Sequence, residues 1–441
     1  MRYLAFIYVL LMICTSCNDR NSLLSVKEMN DDIIYYFSLL RTIHPDLYQE
    51  YDSVFFDDLE SKIKKNCSVP LSFSEFEIQL FKMHKFLDSH TGVHEFNIPS
   101  SIDKYHFPKV LFMSDSIILL NHDTLISIDG IPASLLALEV DSMVSTMYLP
   151  EIANNRKNMY MNLLLGGKPS SFSAYRCALL NKCGVYDSIV DVDTTSLVHP
   201  CLIPYDSLFI GDSIAVFQYN SSMLLTGDQR NKFQLFLDSF FRKLNASQID
   251  KLLIDVSNNK GGSGLANELV FSYLSRDSCM IVVKRVGKAG GIKKIMESEF
   301  YNKQFDSKLE PIKRNGFLID TIYVSHHKNK FFDGDVIVIM GNSTFSAAAI
   351  FCYMAKVCNM AVLIGDISGQ YFPFCGSCIW DILPNSKIKI QIPIIKDYYG
   401  NVNCFENGFL EPDIRYPLTP KLDVEDYKQV VVEMRRNKEN E

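Results

Sequence analysis

Apolar residues recur every three or four positions over Val26–Ile43 and again over 73–87, so the N-terminal part of the chain reads as amphipathic helices. The turn His44-Pro45-Asp46 follows the first of them. Near residue 107 the period shortens. Ser116-Ile-Ile-Leu-Leu120, Asn121-His-Asp123 and Leu125-Ile-Ser-Ile-Asp-Gly130 read as a small β module, with an amphipathic helix over 133–147 behind it. Residues 150–205 give no clear period. From Ser213 onward strands and helices alternate, as in an α/β domain. The pattern predicts strands at 214–218, 251–255, 335–340 and 361–365, helices at 228–244, from Leu265 and at 345–356, and short strands from there to Ile394.

Two of these strands run into turns that suit chemistry. The apolar run Asp335-Val-Ile-Val-Ile-Met340 enters Gly341-Asn-Ser-Thr-Phe-Ser346 and then the small, helix-compatible Ala347-Ala-Ala-Ile-Phe351. A hydroxyl at such a junction meets free N–H groups and the positive end of a helix dipole, a setting that favours an oxyanion and a nucleophilic serine. A strand–turn–helix link with a Ser or Thr cap has the same pattern. The strand 251–255 likewise leads into Val256-Ser-Asn-Asn-Lys-Gly261-Gly262-Ser263, where paired glycines allow positive φ and leave amides uncovered. No Gly-Lys-Ser/Thr closes this loop, which argues against phosphate binding.

Phe86-Leu-Asp-Ser89-His90-Thr-Gly92 sets a histidine among hydroxyls and a carboxylate, suited to general-base work and equally to a histidine at a helix C-terminus. Glu406 and Glu411, in the run from Glu406 to Ile414, are able to polarise a serine or a histidine, or to be surface turn residues.

The chain has 441 residues, 47% of them hydrophobic and 22% charged, and a net charge of −7 without a cationic cluster; nucleic-acid binding is disfavoured. Met1-Arg2, the apolar run to Cys14 and Thr15-Ser-Cys17-Asn-Asp19 form a secretory signal. Cys17 directly after Thr-Ser resembles a bacterial lipobox, although Cys14 stands where that motif usually has Leu. The expectation is an exported, cell-envelope protein anchored to a membrane, periplasmic or surface, through lipid on Cys17. A plain signal peptide cleaved nearby is the alternative. Among twelve cysteines the Cys375-Gly-Ser-Cys378 pair has neither the strand–helix frame of a redox motif nor the second pair of a zinc site, so a local disulfide or buried free thiols are expected; Cys177 and Cys183 are bridged or simply buried.

Taken in order, Leu87-Asp-Ser-His-Thr91, Ile126-Ser-Ile-Asp-Gly130, Leu253-Ile-Asp-Val-Ser-Asn-Asn-Lys-Gly-Gly262, Asn342-Ser-Thr-Phe-Ser-Ala347, Ile364-Gly365 with Ser368-Gly369, Leu383-Pro-Asn-Ser386 and Leu410-Glu-Pro-Asp-Ile414 resemble the C-terminal processing peptidases, the serine peptidase family of the tail-specific proteases and the tricorn core. The resemblance implies a crotonase-like, ClpP-like α/β catalytic domain over 206–441. Ahead of it would lie a helical domain over 18–105 and a PDZ-like or degenerate β module over 106–205, after a leader at 1–17. It implies Ser346 as nucleophile, with the amide of Ala347 and either Gly261 or Gly262 forming the oxyanion hole. The lysine base of the tail-specific branch has no counterpart in Gly365-Asp-Ile-Ser-Gly369, whereas the tricorn-like pattern is met by Ser89-His90 and by Glu411, or else Glu406. Two positions depart from the family: Ala349 stands where a glutamate is frequent, and Lys260 where a Gly or small residue is usual. The implied function is an endopeptidase acting on peptides or proteins, without metal or organic cofactor. A catalytically silent peptide- or ligand-binding lipoprotein on the same fold is the alternative. The sequence sets neither the substrate nor the oligomeric state.

Overall fold

The computed structural model describes residues 23–93, 106–113, 116–145, 148–165, 174–193, 203–224, 226–247, 249–274, 279–297, 306–324, 332–400, 402–419 and 421–440. The leader and Cys17 lie outside them. The chain is a mixed α/β protein that divides into two compact units. One draws on 1–146, 157–193 and 377–394, the other on 147–156, 194–376 and 395–441. No helix among the described residues is long and apolar enough to cross a membrane.

The first unit begins with helices whose starts are written in the sequence. Ser25 and Glu28 form a reciprocal capping box at Val26–Ile43, and Ser72 and Glu75 form another at Phe73–Phe81; Asp52 caps Ser53–Asn66. The first helix buries Met29, Ile33, Tyr36, Phe37 and Leu40 completely. The expected helix over 73–87 stops at Phe81, and a 3₁₀ turn at His84–Phe86 follows. His90 is therefore no helix-terminal histidine. It sits in a turn over 88–91 that leads into the short strand Gly92–Val93, which pairs antiparallel with Ile390 and Gln391.

The same unit holds an antiparallel sheet of Val110–Met113, Ser116–Leu119, Thr124–Ile128, Ala174–Asn181 and Gly184–Asp191, in that order. The helix on it ends at Asp141, earlier than its apolar period suggested. The unreadable stretch 150–205 contains the helix Pro150–Leu164 and the hairpin of Ala174–Asn181 with Gly184–Asp191. Its polarity is structural. Asn158 makes bonds of 2.8 and 2.9 Å to the backbone of Val110, and Asn162 Oδ1 accepts from Phe107 N at 2.6 Å. These amides share the buried side of the helix with Tyr160, Met161 and Leu163 and interrupt its apolar stripe.

The second unit is built on a sheet ordered Tyr205–Ile210, Ile214–Tyr219, Lys251–Asp255, Asp335–Met340, Val362–Gly365, Ile414–Arg415. It is parallel throughout except for the first pair. The strands read as unbroken apolar runs because both faces are covered. Leu252, Ile254, Val338 and Met340 face a core shared with Phe233, Phe240 and Phe351. Leu253, Ile337, Ile339 and Ile364 face Tyr427, Val430 and Met434 of the C-terminal helix Val424–Asn440. Tyr427 also donates to the buried Asp255 carboxylate at 2.8 Å.

Two expectations are corrected here. The strands expected to be short before Ile394 are long ones, Phe374–Ile382 and Lys389–Tyr399. Cys183 is an exposed thiol, neither bridged nor buried, while Cys177 and Cys375 are buried thiols, one of the two states expected, and Cys378 is a part-buried one; among the described residues a disulfide joins Cys279 to Cys358 across 79 residues, a separation that local spacing cannot reveal.

Candidate active site

The elbow that carries Ser346 lies past the carboxyl end of the strand Asp335–Met340, beside the loop that leaves the neighbouring parallel strand at Asp255. Crevices at the carboxyl ends of parallel strands are the usual ligand sites of α/β sheets. The backbone donors of Gly341, Thr344, Phe345 and Ser346 are all engaged. Thr344 is fully buried; its hydroxyl donates to Val256 O and accepts from Gly341 N, both at 2.9 Å. Phe345 N donates to Asn259 O at 3.0 Å, and Ser346 N to Gln370 Oε1 at 3.1 Å. Asn267 Nδ2 donates to Ala347 O at 2.7 Å. Ala347 N, at the first turn of the helix Ala347–Val357, makes no hydrogen bond within the described residues.

Ser346 itself sits at φ 52° and ψ −123°, a conformation that costs a non-glycine residue about 1–3 kcal/mol. Its side chain makes no capping bond to the helix. The hydroxyl is thus held at a helix N-terminus without serving as its cap.

Gly261 lies against this elbow. At φ +94° a Cβ there would stand 2.8 Å from Phe345 O and from Ser346 Cβ, and 2.9 Å from Ala347 N. Only glycine lets the loop approach so closely. Its amide is already engaged, donating to Asn259 Oδ1 at 2.8 Å. Gly262 pairs with Ser222, and its amide has no partner within the described residues. So Gly261, Ser346 and Ala347 are brought together, with Gly262 next in the chain.

Gln370 is the residue here that the sequence did not single out. Fully buried, it donates from Nε2 to Tyr371 O at 2.9 Å, which turns Oε1 toward Ser346 N. A glutamine near a Ser-Gly turn gives little signal of its own. Ala349, at the position where the family often has a glutamate, is fully buried in the aromatic core with Phe351, where a carboxylate would be unpaired. Asp366, where the tail-specific branch has its lysine region, accepts from Arg415 Nη1 at 2.8 Å. Glu411 and Glu406 share the same guanidinium, at 3.0 and 2.9 Å, on the surface. A hydrogen bond involving Glu406 and the Arg415 contact hold the Glu411 carboxyl below its ordinary value.

In the first unit, Ser89 Oγ lies 3.4 Å from His90 Nδ1. The His90 ring is buried, and loss of water pushes its pKa down to about 4, with the nearby Asp88 charge pulling the other way. The backbone of His90 is held at both ends. Asp88 Oδ1 accepts from its N–H at 2.8 Å, and its carbonyl accepts from Gln391 Nε2 at 2.9 Å.

Residues 218–416 match the model of peptidase family S41. The chain carries a peptidase family S41 domain. This is the C-terminal processing peptidase family that the motifs resemble. The S41 segment contains the glycine loop, the elbow, Gln370, Glu406 and Glu411, while Ser89 and His90 precede it. Among solved structures the chain is similar to mature CPAF, at 15% identity and a TM-score of 0.59, over 92% of this chain and 96% of that one. It is also similar to mature CPAF complexed with lactacystin, at 15% identity and a TM-score of 0.57, over 93% and 97%. At such identity the likeness is one of fold. No curated protein sequence matches the chain.

Proposed function

We propose that this protein is an exported serine endopeptidase whose nucleophile is Ser346 and whose general base is His90. The observation that carries the reading is the strained elbow inside the S41 segment: a serine hydroxyl not used as a cap, followed by an unengaged Ala347 amide. Ser346 Oγ attacks the carbonyl carbon of a peptide bond while its proton passes to His90. The oxyanion accepts from Ala347 N–H and from an amide of the Gly261-Gly262 turn, where Gly262 is the uncommitted donor. His90 returns the proton to the departing amine, and water, activated in the same way, releases the acyl group. Ser89 orients the imidazole, and Glu411 acts at longer range on the serine or histidine. Peptides or proteins are the substrates. Lipid on Cys17 anchors the protein to the envelope membrane, which incorporation of a labelled fatty acid into the parent but not into Cys17→Ser would test.

One observation favours the silent alternative, in which the fold binds a peptide without cutting it: the Gly261 amide is already satisfied by Asn259. A fluorophosphonate probe separates the two readings. The parent is expected to be labelled, Ser346→Ala not at all, and His90→Ala far more slowly. Labelling that persists in Ser346→Ala would remove the nucleophile assignment, and a parent that never labels would favour the binding module.

A further inference from the structure

His44 and Asp88 take no part in these bond-making steps, yet the His90 backbone rests on them. His44 follows the helix Val26–Ile43 as its C-terminal cap, with its ring only 3% exposed. Asp46 N–H donates to His44 Nδ1 at 3.2 Å, so the neutral ring carries its proton on Nε2. That nitrogen lies 2.5 Å from Asp88 Oδ2. The same carboxylate oxygen accepts the Thr91 hydroxyl, while Oδ1 accepts the His90 amide at 2.8 Å. Thr91 N–H closes the turn on Asp88 O at 3.2 Å.

One part-buried carboxylate therefore joins the end of a helix to both residues 90 and 91. Burial opposes its ionisation, but the hydrogen bonds from His44 and the Thr91 hydroxyl outweigh that and hold Asp88 at about 2. A turn of this kind needs one acceptor oxygen, which asparagine or serine supplies. The second oxygen and a buried imidazole are an added fixture. Asp88 meets the His90 amide, so it sets where the imidazole starts.

We propose that His44 is a positioning residue for His90: acting through Asp88, it fixes the 88–91 turn so that the imidazole is presented in one place. The inference rests on His90 being the base. A displacement of about 1 Å of a reacting group is able to lower rates on the order of 100-fold.

The test uses the full chain and fluorophosphonate labelling resolved into its maximal rate and its half-saturating concentration. His44→Ala is expected to lower the maximal rate on the order of 100-fold with little change in half-saturation. His44→Gln, whose amide nitrogen reaches as far as Nε2, should recover most of the rate; His44→Asn, one methylene shorter, should not. The double variant His44→Ala/His90→Ala should be no slower than His90→Ala, since a positioning residue has nothing left to position. If His44→Ala does not fold, the Gln and Asn variants carry the same comparison, with a histidine Nε2–H resonance protected from exchange marking the His44–Asp88 bond in the parent. Parent-like rates in both His44→Ala and His44→Asn, or additive losses in the double variant, would overturn the positioning role while leaving His90 as base. A parent-like rate in His90→Ala would instead overturn the base assignment itself.

Discussion

The turn of Ser346 and the turn of His90 are both rigid, but they are made rigid by opposite means. The elbow of the second unit is held by neutral groups: Thr344, Asn259 and Gln370 engage its backbone, and it stores its strain in one dihedral pair at Ser346. The turn of the first unit has no such strain and is held by an ionised, part-buried carboxylate against the buried His44. The difference teaches where each is vulnerable. A neutral, strained elbow should respond to volume and conformation and ignore pH. A turn built on buried charge should respond to pH first.

The sharpest break in the comparison is at Ser346. Removing its hydroxyl is expected to lower peptidase activity on the order of 10⁴-fold or more. The comparison is sharpened by choosing glycine as the replacement. Ser346→Gly relieves the unfavourable φ and ψ, so thermal denaturation should show it more stable than the parent by about 1 kcal/mol while inactive. A glycine variant less stable than Ser346→Ala would mean that the elbow is not strained.

Next in size is Gly261→Ala. Its Cβ would meet two backbone atoms, Phe345 O and Ala347 N, which have no rotamer to escape into. Labelling of Ser346 should slow on the order of 100-fold, and stability should fall by about 3 kcal/mol, in a urea titration. Neither effect should vary between pH 5 and 8, because no titrating group enters.

The pH experiment probes the other turn. The folded pKa of His90 is depressed to about 4 from an ordinary 6.5, so between these values the unfolded chain takes up a proton that the folded chain refuses. Stability from this group is complete above 6.5, is lost as pH falls toward 4, and is flat below; its full size is about 3 kcal/mol. Asp88, at about 2 in place of an ordinary 3.8, adds a second loss between those values. In the second unit Asp397 runs the other way. Burial raises its carboxyl from 3.8 to about 6, so it favours the folded state more as pH falls through that range. The measurement is therefore a difference. The gap between parent and His90→Leu should narrow by about 2–3 kcal/mol between pH 7 and 4. A constant gap would remove the buried neutral histidine from the account.

These two turns were also unequally legible in the sequence. The elbow is local: the apolar strand, the Gly-Asn-Ser-Thr turn and the alanine run lie between Asp335 and Ala349, and period and turn chemistry suffice to read them. The paired glycines at 261 and 262 are equally plain. What holds them is not local, since Gln370 and Asn259 meet the elbow across 24 and about 90 residues and look like ordinary polar loop residues. His90 was visible as a candidate, but its support was not. His44 is 44 residues from Asp88, in a His-Pro turn that reads as nothing more than a helix stop. The helix Pro150–Leu164 was illegible for a related reason, because asparagines that bind backbone interrupt the apolar residues on its buried side.

The smallest effect expected belongs to Glu411, and it decides whether the elbow needs a charge at all. Glu411 lies at the surface, bound to Arg415 at 3.0 Å, and Arg415 also holds Glu406 and Asp366. Exposed pairs of this kind contribute about 0–1 kcal/mol, and the remaining two carboxylates keep the guanidinium in place. Glu411→Gln should therefore leave the melting temperature within a degree or so of the parent, roughly what such a small energy allows. Its effect on chemistry is a separate matter. A long-range carboxylate that stabilises positive charge on His90 should lower the maximal labelling rate by about threefold to tenfold when neutralised, on the order of 1 kcal/mol. Raising the salt concentration should mimic the substitution in the parent and do little in Glu411→Gln, because an exposed charge is screened. Equal rates for parent and Glu411→Gln at low salt would leave the S41 elbow dependent on neutral groups alone, and would make Asp88 the carboxylate whose charge bears on the proposed base.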